Sequence, residues 1–170
     1  MSNTVDITDR DVVTFRISGE VLAIPASHLR EVLEVATVTR VPGAPDFVSR
    51  LINVRGNVVP LADLRVPLCM PQSDDNENAR IMVLELPLAG QSSVVGIFAD
   101  SVHEVTRLTS DQIEEIPSVG SRWPPNLVHA VGRWSGEFVT IPDLDAIFAD
   151  FLSGQTGRQT QSGAIAPTHH

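Results

Sequence analysis

Two stretches of this chain occur twice, in the same order, which limits the fold more than any other feature of the sequence. Aligning residues 22–32 (LAIPASHLREV) with 95–105 (VGIFADSVHEV) pairs Ile24 with Ile97, Ala26 with Ala99, Leu29 with Val102, Glu31 with Glu104 and Val32 with Val105. Aligning 56–64 (GNVVPLADL) with 136–144 (GEFVTIPDL) pairs Gly56 with Gly136, Leu61 with Ile141, Asp63 with Asp143 and Leu64 with Leu144. A duplicated all-β unit of about 70–80 residues accounts for both alignments. Coincidental likeness between apolar strands is the competing reading.

The rest of the pattern is also one of short strands. Segments 12–18, 21–25, 52–55, 57–62, 80–86, 94–100, 102–107 and 136–141 are rich in Val, Ile and Leu and are bounded by Gly, Pro, Asn and Asp. Two helices are expected. One runs over Ser27–Glu34 with Ser27 as N-cap, and the other over Asp143–Leu152, where Leu144, Ile147, Phe148, Phe151 and Leu152 fall at helical spacing. Asp63 and Asp143, each before a leucine at a strand end, read as a turn or helix cap in two copies and not as an acid pair.

Within 50–68 (RLINVRGNVVPLADLRVPL) an apolar run meets Arg55-Gly56, and a second apolar run follows. Gly56-Asn57 tolerates positive φ, so the segment reads as a tight β-hairpin. Arg55 then stands beside the turn on an apolar strand, an unusual place for a guanidinium without a partner.

Composition removes several function classes. Net charge is −9, all twelve basic residues are arginine, and they are scattered singly. Nucleic acid and anionic membrane surfaces need concentrated positive charge, so neither is an expected partner. No apolar stretch approaches the roughly 18 residues that span a bilayer. The polar, acidic start (MSNTVDITDRDVV) is unlike a signal peptide, and the single cysteine, Cys69, fits a reducing compartment; a cytoplasmic location is expected. No metal, cofactor or catalytic residue is expected. The five histidines lack H-x-x-x-H spacing, and there is no G-x-S-x-G elbow or phosphate-binding G-x-x-x-x-G-K-[ST] loop. Cys69, in VPLCMP without a nearby basic partner, reads as a buried or half-buried, inert thiol.

Residues Asn53-Val54-Arg55-Gly56-Asn57-Val58-Val59-Pro60-Leu61-Ala62-Asp63-Leu64 closely resemble the N-(L/V)-R-G-x-(I/V)-(V/L)-P-(L/V)-x-D-L signature of CheW-like chemotaxis coupling proteins. Segments 21–35, 80–113 (with Val95–Asp100 at the usual VGIxVD position) and 128–148 resemble the family's opening strand and helix, middle strands, and closing hairpin and helix. The likeness covers roughly residues 10–152. It implies a mainly β fold of two similar five-stranded SH3-like barrels packed side by side, with short helices near 27–34 and 143–152. It also implies one domain over 10–152, with a flexible stretch at 1–9 and a disordered tail at 153–170.

The resemblance further implies a non-enzymatic adaptor that couples chemoreceptors to a CheA-type histidine kinase. Its partners would be the kinase's regulatory domain and the tip of the receptor's cytoplasmic hairpin, and it would be recruited to receptor arrays at the membrane without inserting. A related module in another chemosensory pathway, such as pilus motility or second-messenger control, is the alternative. A small β-barrel enzyme would need a convergent polar pocket, and none is evident.

Carried onto this chain, the family's motif places Glu31 and Arg55 near each other as a partly buried ion pair. The pair would serve as a hairpin brace, a docking surface or both. Asn53 and Gly56 belong to the same motif. A groove between the barrels would be lined by Leu29, Val32, Val102 and Val105, each of which has barrel core as its competing assignment. Arg50 replaces the family's usual glycine and would alter a contact at the rim.

Overall fold

The computed structural model describes residues 10–35, 38–71, 77–88, 90–114 and 126–149. The expectations for 1–9, for the tail from 153, for most of the acidic stretch 72–79 and for the end of the second helix lie outside these residues.

Among the described residues, twelve strands are laid out as two copies of one plan. The first copy is β1 (Asp11–Ile17), β2 (Glu20–Pro25), β3 (Leu29–Glu34), β4 (Thr39–Arg40), β5 (Arg50–Val54) and β6 (Asn57–Ala62). The second is β7 (Arg80–Leu88), β8 (Gln91–Ala99), β9 (Ser101–Arg107), β10 (Ile113–Glu114), β11 (Val128–Trp134) and β12 (Glu137–Pro142). They form two six-stranded sheets, ordered β10-β11-β12-β2-β1-β9 and β3-β7-β8-β6-β5-β4. Each sheet has five longer strands and a two-residue strand, β4 or β10. Matching strands occupy matching places. Even the short parallel contact recurs, as Val139↔Val21 with Thr140↔Leu22, and as Leu61↔Gly96 with Ala62↔Ile97.

A repeat unit is nonetheless not a barrel. After β2 the chain leaves its sheet, and β3 pairs with β7; after β8 it leaves again, and β9 pairs with β1. One barrel, here the terminal barrel, is built from β1–β2 and β9–β12. The other, the central barrel, is built from β3–β8. The second crossover is fixed by Asp100: its Oδ2 accepts the Ser18 N–H at 2.8 Å, and its own N–H donates to Arg16 at 2.8 Å.

The apolar runs follow from this plan. Alternate residues of the central hairpins divide between two interiors. In the terminal barrel, Val12, Val21 and Ala23 face inward with Val139 and Ile141. In the central barrel, Ile81 and Val83 face inward with Ile52, Val59 and Leu61. The intervening residues, among them Phe15, Leu22, Ile24, Met82, Leu84 and Ile97, join one large core between the barrels. A strand buried on both faces shows no polar alternation, so β1, β2, β7 and β8 read as continuous hydrophobic segments. The inter-barrel space, expected to be a groove, is for the most part filled.

The helix expected over Ser27–Glu34 is instead a 3-10 turn at Ala26–His28 followed by β3. Along β3, Leu29, Glu31 and Leu33 turn toward the sheet's covered face, while Arg30, Val32 and Glu34 are exposed. That two-residue period is a strand's, and pairing with β7 overrides the Ser27 cap signal. The other helix, α1, is present over residues 144–149.

Candidate docking site

Two-residue turns shape the exposed ends of both barrels. The register Val54↔Asn57 places Arg55 and Gly56 at the centre of the β5–β6 turn, with φ of 53° and 85°. Ser135-Gly136 repeats this geometry between β11 and β12, at 52° and 81°, as does Ser18-Gly19 between β1 and β2, at 51° and 82°. Positive φ at both central positions is the type I′ pattern, whose twist matches that of the flanking strands. The left-handed positions are therefore Arg55-Gly56; Asn57, expected in the turn, begins β6. Asn53 braces the loop, its Oδ1 accepting the Gly56 N–H at 2.9 Å.

From the turn Arg55 reaches Glu31 on β3, Nη2 donating to Oε1 at 2.9 Å. The predicted pair is thus formed. Its expected burial is not found at the arginine: Arg55 is 79% exposed and Glu31 25%. A hairpin-tip residue projects from the barrel, so the guanidinium stays in solvent while the strand carboxylate is shielded. The hydrogen bond to Glu31 and that residue's charge raise the Arg55 pKa above arginine's ordinary value. An exposed pair contributes little to folding. Its effect is geometric: it spans the seam where β3 approaches β5 without a backbone ladder between them.

The remaining sequence-derived candidates divide by burial. Leu29 and Val102, equivalent in the repeat, pack against the inter-barrel core. Val32 and Val105, equally equivalent, are exposed on their strands. Arg50 lies at the other end of β5 from Arg55, opposite Arg40 and Leu61, so the structure does not bring it to the Glu31–Arg55 seam.

Two further features were missed. Val58 and Phe138, the second residues of β6 and β12, are 66% and 63% exposed. They occupy equivalent positions, and Arg133 covers the Phe138 ring at 4.8 Å. A signal was present in the sequence, since both repeats place consecutive apolar residues there (Val58-Val59 and Phe138-Val139) and alternation sends one of each outward. The second feature is an apolar cleft of about 190 Å3 where β6 and β8 diverge, walled by Val48, Pro60, Ala62, Leu88, Val94 and Phe148. That volume is ample for an aromatic ring, given that a cavity of ~150 Å3 admits benzene.

Acidic caps complete the barrel ends, as their sequence positions predict. Asp63 Oδ1 accepts the Arg65 N–H at 3.0 Å, and Asp143 Oδ1 accepts the Ala146 N–H at 3.0 Å at the start of α1. Cys69, expected to be buried or half-buried, is exposed, in a turn where its φ is 55°. Among the described residues no cluster of His, Cys, Asp or Glu is arranged to hold a metal ion, and no helix is long and apolar enough to cross a membrane.

Comparison with known proteins agrees with this architecture. The profile of the CheW-like domain matches residues 11–151. The chemotaxis protein CheW of Helicobacter pylori is 30% identical over 135 residues, 79% of each chain. That of Rhizobium meliloti is 25% identical over 139 residues, covering 82% of this chain and 87% of its own. Protein PilI of Pseudomonas aeruginosa is 27% identical over 120 residues, covering 70% of this chain and 65% of its own. The crystal structure of the scaffolding protein TtCheW from Thermoanaerobacter tengcongensis aligns with a TM-score of 0.70 at 24% identity, over 85% of this chain and 90% of that one, which speaks to the fold. With most of its length matched by the family's profile and its twelve strands in this arrangement, the chain belongs to the CheW-like domain family.

Proposed function

We propose that the protein is a non-enzymatic adaptor that couples chemoreceptors to a CheA-type histidine kinase in chemotaxis, with residues 10–152 acting as one domain in the cytoplasm beside membrane receptor arrays. The observation that carries this reading is the matched exposure of Val58 and Phe138 on the two barrels. Held in solvent at equivalent positions, these side chains offer apolar area to a protein partner. A kinase regulatory domain of similar barrels offers surfaces of the same plan. The cleft of about 190 Å3 at β6, β8 and α1 suits apolar side chains from a receptor's helical hairpin. Glu31 and Arg55 hold the hairpin that presents Val58. Individually modest contacts become firm through multivalency in an array. The match to PilI, a relative not named for chemotaxis, keeps a second reading: the same coupling role in another chemosensory pathway.

The test is reconstitution of kinase activity from receptor fragments in vesicles, a CheA-type kinase and this protein. The wild type is expected to raise receptor-dependent autophosphorylation about tenfold. Phe138→Ser is expected to lose most of that gain while remaining folded. Arg55→Asn keeps a residue suited to positive φ, so it separates the two roles of the pair: retained fold with lost coupling marks docking, and a loosened hairpin marks bracing. A wild-type protein that leaves the kinase unaffected overturns the adaptor reading.

A further inference from the structure

The chain carries 21 acidic residues against 12 arginines, and most of the described arginines are matched. Arg16, Arg30, Arg55, Arg65, Arg107 and Arg133 each pair with a carboxylate. Arg80 donates to the carbonyls of Glu77 and Ala79. Of the remaining three described arginines, Arg10, Arg40 and Arg50, the last two are set apart by their position. They stand directly opposite each other in the β4–β5 register, on one face of the sheet. Among the described residues neither pairs with a carboxylate. Like charges so placed repel, with Cβ atoms about 5 Å apart. In a chain with a net charge of −9, an unrelieved arginine pair is a local inversion of the field.

The surroundings favour an anion. Arg50 is half-buried and lines a small recess with Asp46, Ser49, Asp63, Arg65 and Phe98. Asp63 does not neutralise Arg50, because both its oxygens are held by Arg65 at 2.8 Å. Asp46, exposed at the same recess, forms no ion pair with Arg50. β4 is the edge of its sheet, so the pair is approachable from outside.

We propose that Arg40 and Arg50, with the Ser49 hydroxyl, form a docking site for a carboxylate-rich segment of a partner protein. Charge complementarity identifies the occupant. Two planar guanidinium forks match carboxylates in a bidentate way, and the acidic surface elsewhere repels the same segment. A pair this small does not offer the extended basic surface that nucleic acid or a membrane requires. The site lies at the far end of β5 from the Arg55 turn and does not depend on which pathway the protein serves.

The test is a titration of the isotopically labelled full chain with an octaglutamate peptide at low ionic strength, followed by amide chemical shifts. Shifts concentrated at 39–41 and 49–51 are expected, with affinity falling roughly fivefold for each arginine removed, in Arg40→Ser and Arg50→Gly. Arg40→Glu is expected to raise the melting temperature by relieving the repulsion while abolishing binding, which a purely structural pair would not do. Shifts spread over all the exposed arginines, or unchanged affinity in the double variant, overturn the site. Inorganic phosphate binding as tightly as the peptide overturns the carboxylate assignment. Tighter peptide binding after Asp74→Asn with Asp75→Asn makes the chain's own acidic stretch the occupant and overturns the partner.

Discussion

In the central barrel the seam between β3 and β5 is spanned by Glu31 and Arg55, whereas in the terminal barrel the same place is held by rings. Ser135 stands where Arg55 does, Glu104 makes no ion pair among the described residues, and His103 on β9 lies against Trp134 on β11 with centroids 6.0 Å apart. The strand ends differ in the same sense. After β6, Asp63 holds Arg65 at 2.8 Å, and that guanidinium, buried, lies 5.6 Å from the Phe98 ring. After β12 the equivalent residues are Asp143 and Asp145, a like-charged pair. Desolvation first and Asp143 second raise the Asp145 pKa, with His28 opposing them. What the copies keep is what the backbone requires: a glycine with positive φ, an aspartate cap and apolar interiors. What they have altered is charge. At these two places the central barrel carries attractive pairs, Glu31–Arg55 and Asp63–Arg65, where the terminal barrel carries stacked rings and a like-charged pair.

This comparison can be broken most forcefully at the core that both barrels share. Phe15→Ala, at a fully buried position between the barrels, is expected to cost about 3–5 kcal/mol. Far-UV circular dichroism and tryptophan fluorescence should still show one coincident unfolding transition; two would mean that the barrels melt separately. Next in size, Arg65→Leu removes a buried cation and leaves Asp63 without its partner, at about 3 kcal/mol in chemical denaturation. Adding Asp63→Asn should recover part of that loss, and strict additivity would refute the coupling.

Gly96→Val tests the interiors. A Cβ at Gly96 would sit 3.3 Å from Ile81 and from Leu61, whereas the terminal barrel has room for Ala23 at that position. A loss of about 1–3 kcal/mol is expected, and a neutral result would mean that the central barrel is not the tighter of the two. The smallest effect is expected at Asp145. Its folded pKa is raised, so the native state holds its proton more firmly than the unfolded chain, and its ionisation lowers stability as pH rises from about 3.9. His28 offsets part of this. Asp145→Asn should therefore raise the melting temperature slightly at pH 7 and leave it unchanged below about pH 4. A gain that persists in acid would point to packing instead.

Much of this comparison was legible in the sequence, because turns, caps and duplicated strands are local signals. The Asp63 and Asp143 caps and the β5–β6 hairpin could be placed without coordinates, whereas the Glu31–Arg55 pair, 24 residues apart, was implied only by the family resemblance. β3 was misjudged because Ser27 with Arg30 and Glu31 imitates a helix start, and only the partner strand β7, some 50 residues away, decides the matter. The exchange of β3 and β9 between barrels is non-local in the same way. The cleft at Phe148 is walled by five separate segments, and the Arg40–Arg50 opposition exists only once the strand register is known. Two-residue strands such as β4 carry too few side chains for a pattern.

The exchanged strands also bear on ancestry. One repeat unit, β1–β6, supplies a hairpin to one barrel and four strands to the other, so alone it completes neither. Two identical copies trading those parts would complete both, as a domain-swapped dimer does. The present chain has the strand arrangement of such a dimer joined end to end. Once joined, such halves no longer have to stay identical, and a seam held by an ion pair in one barrel can be held by rings in the other.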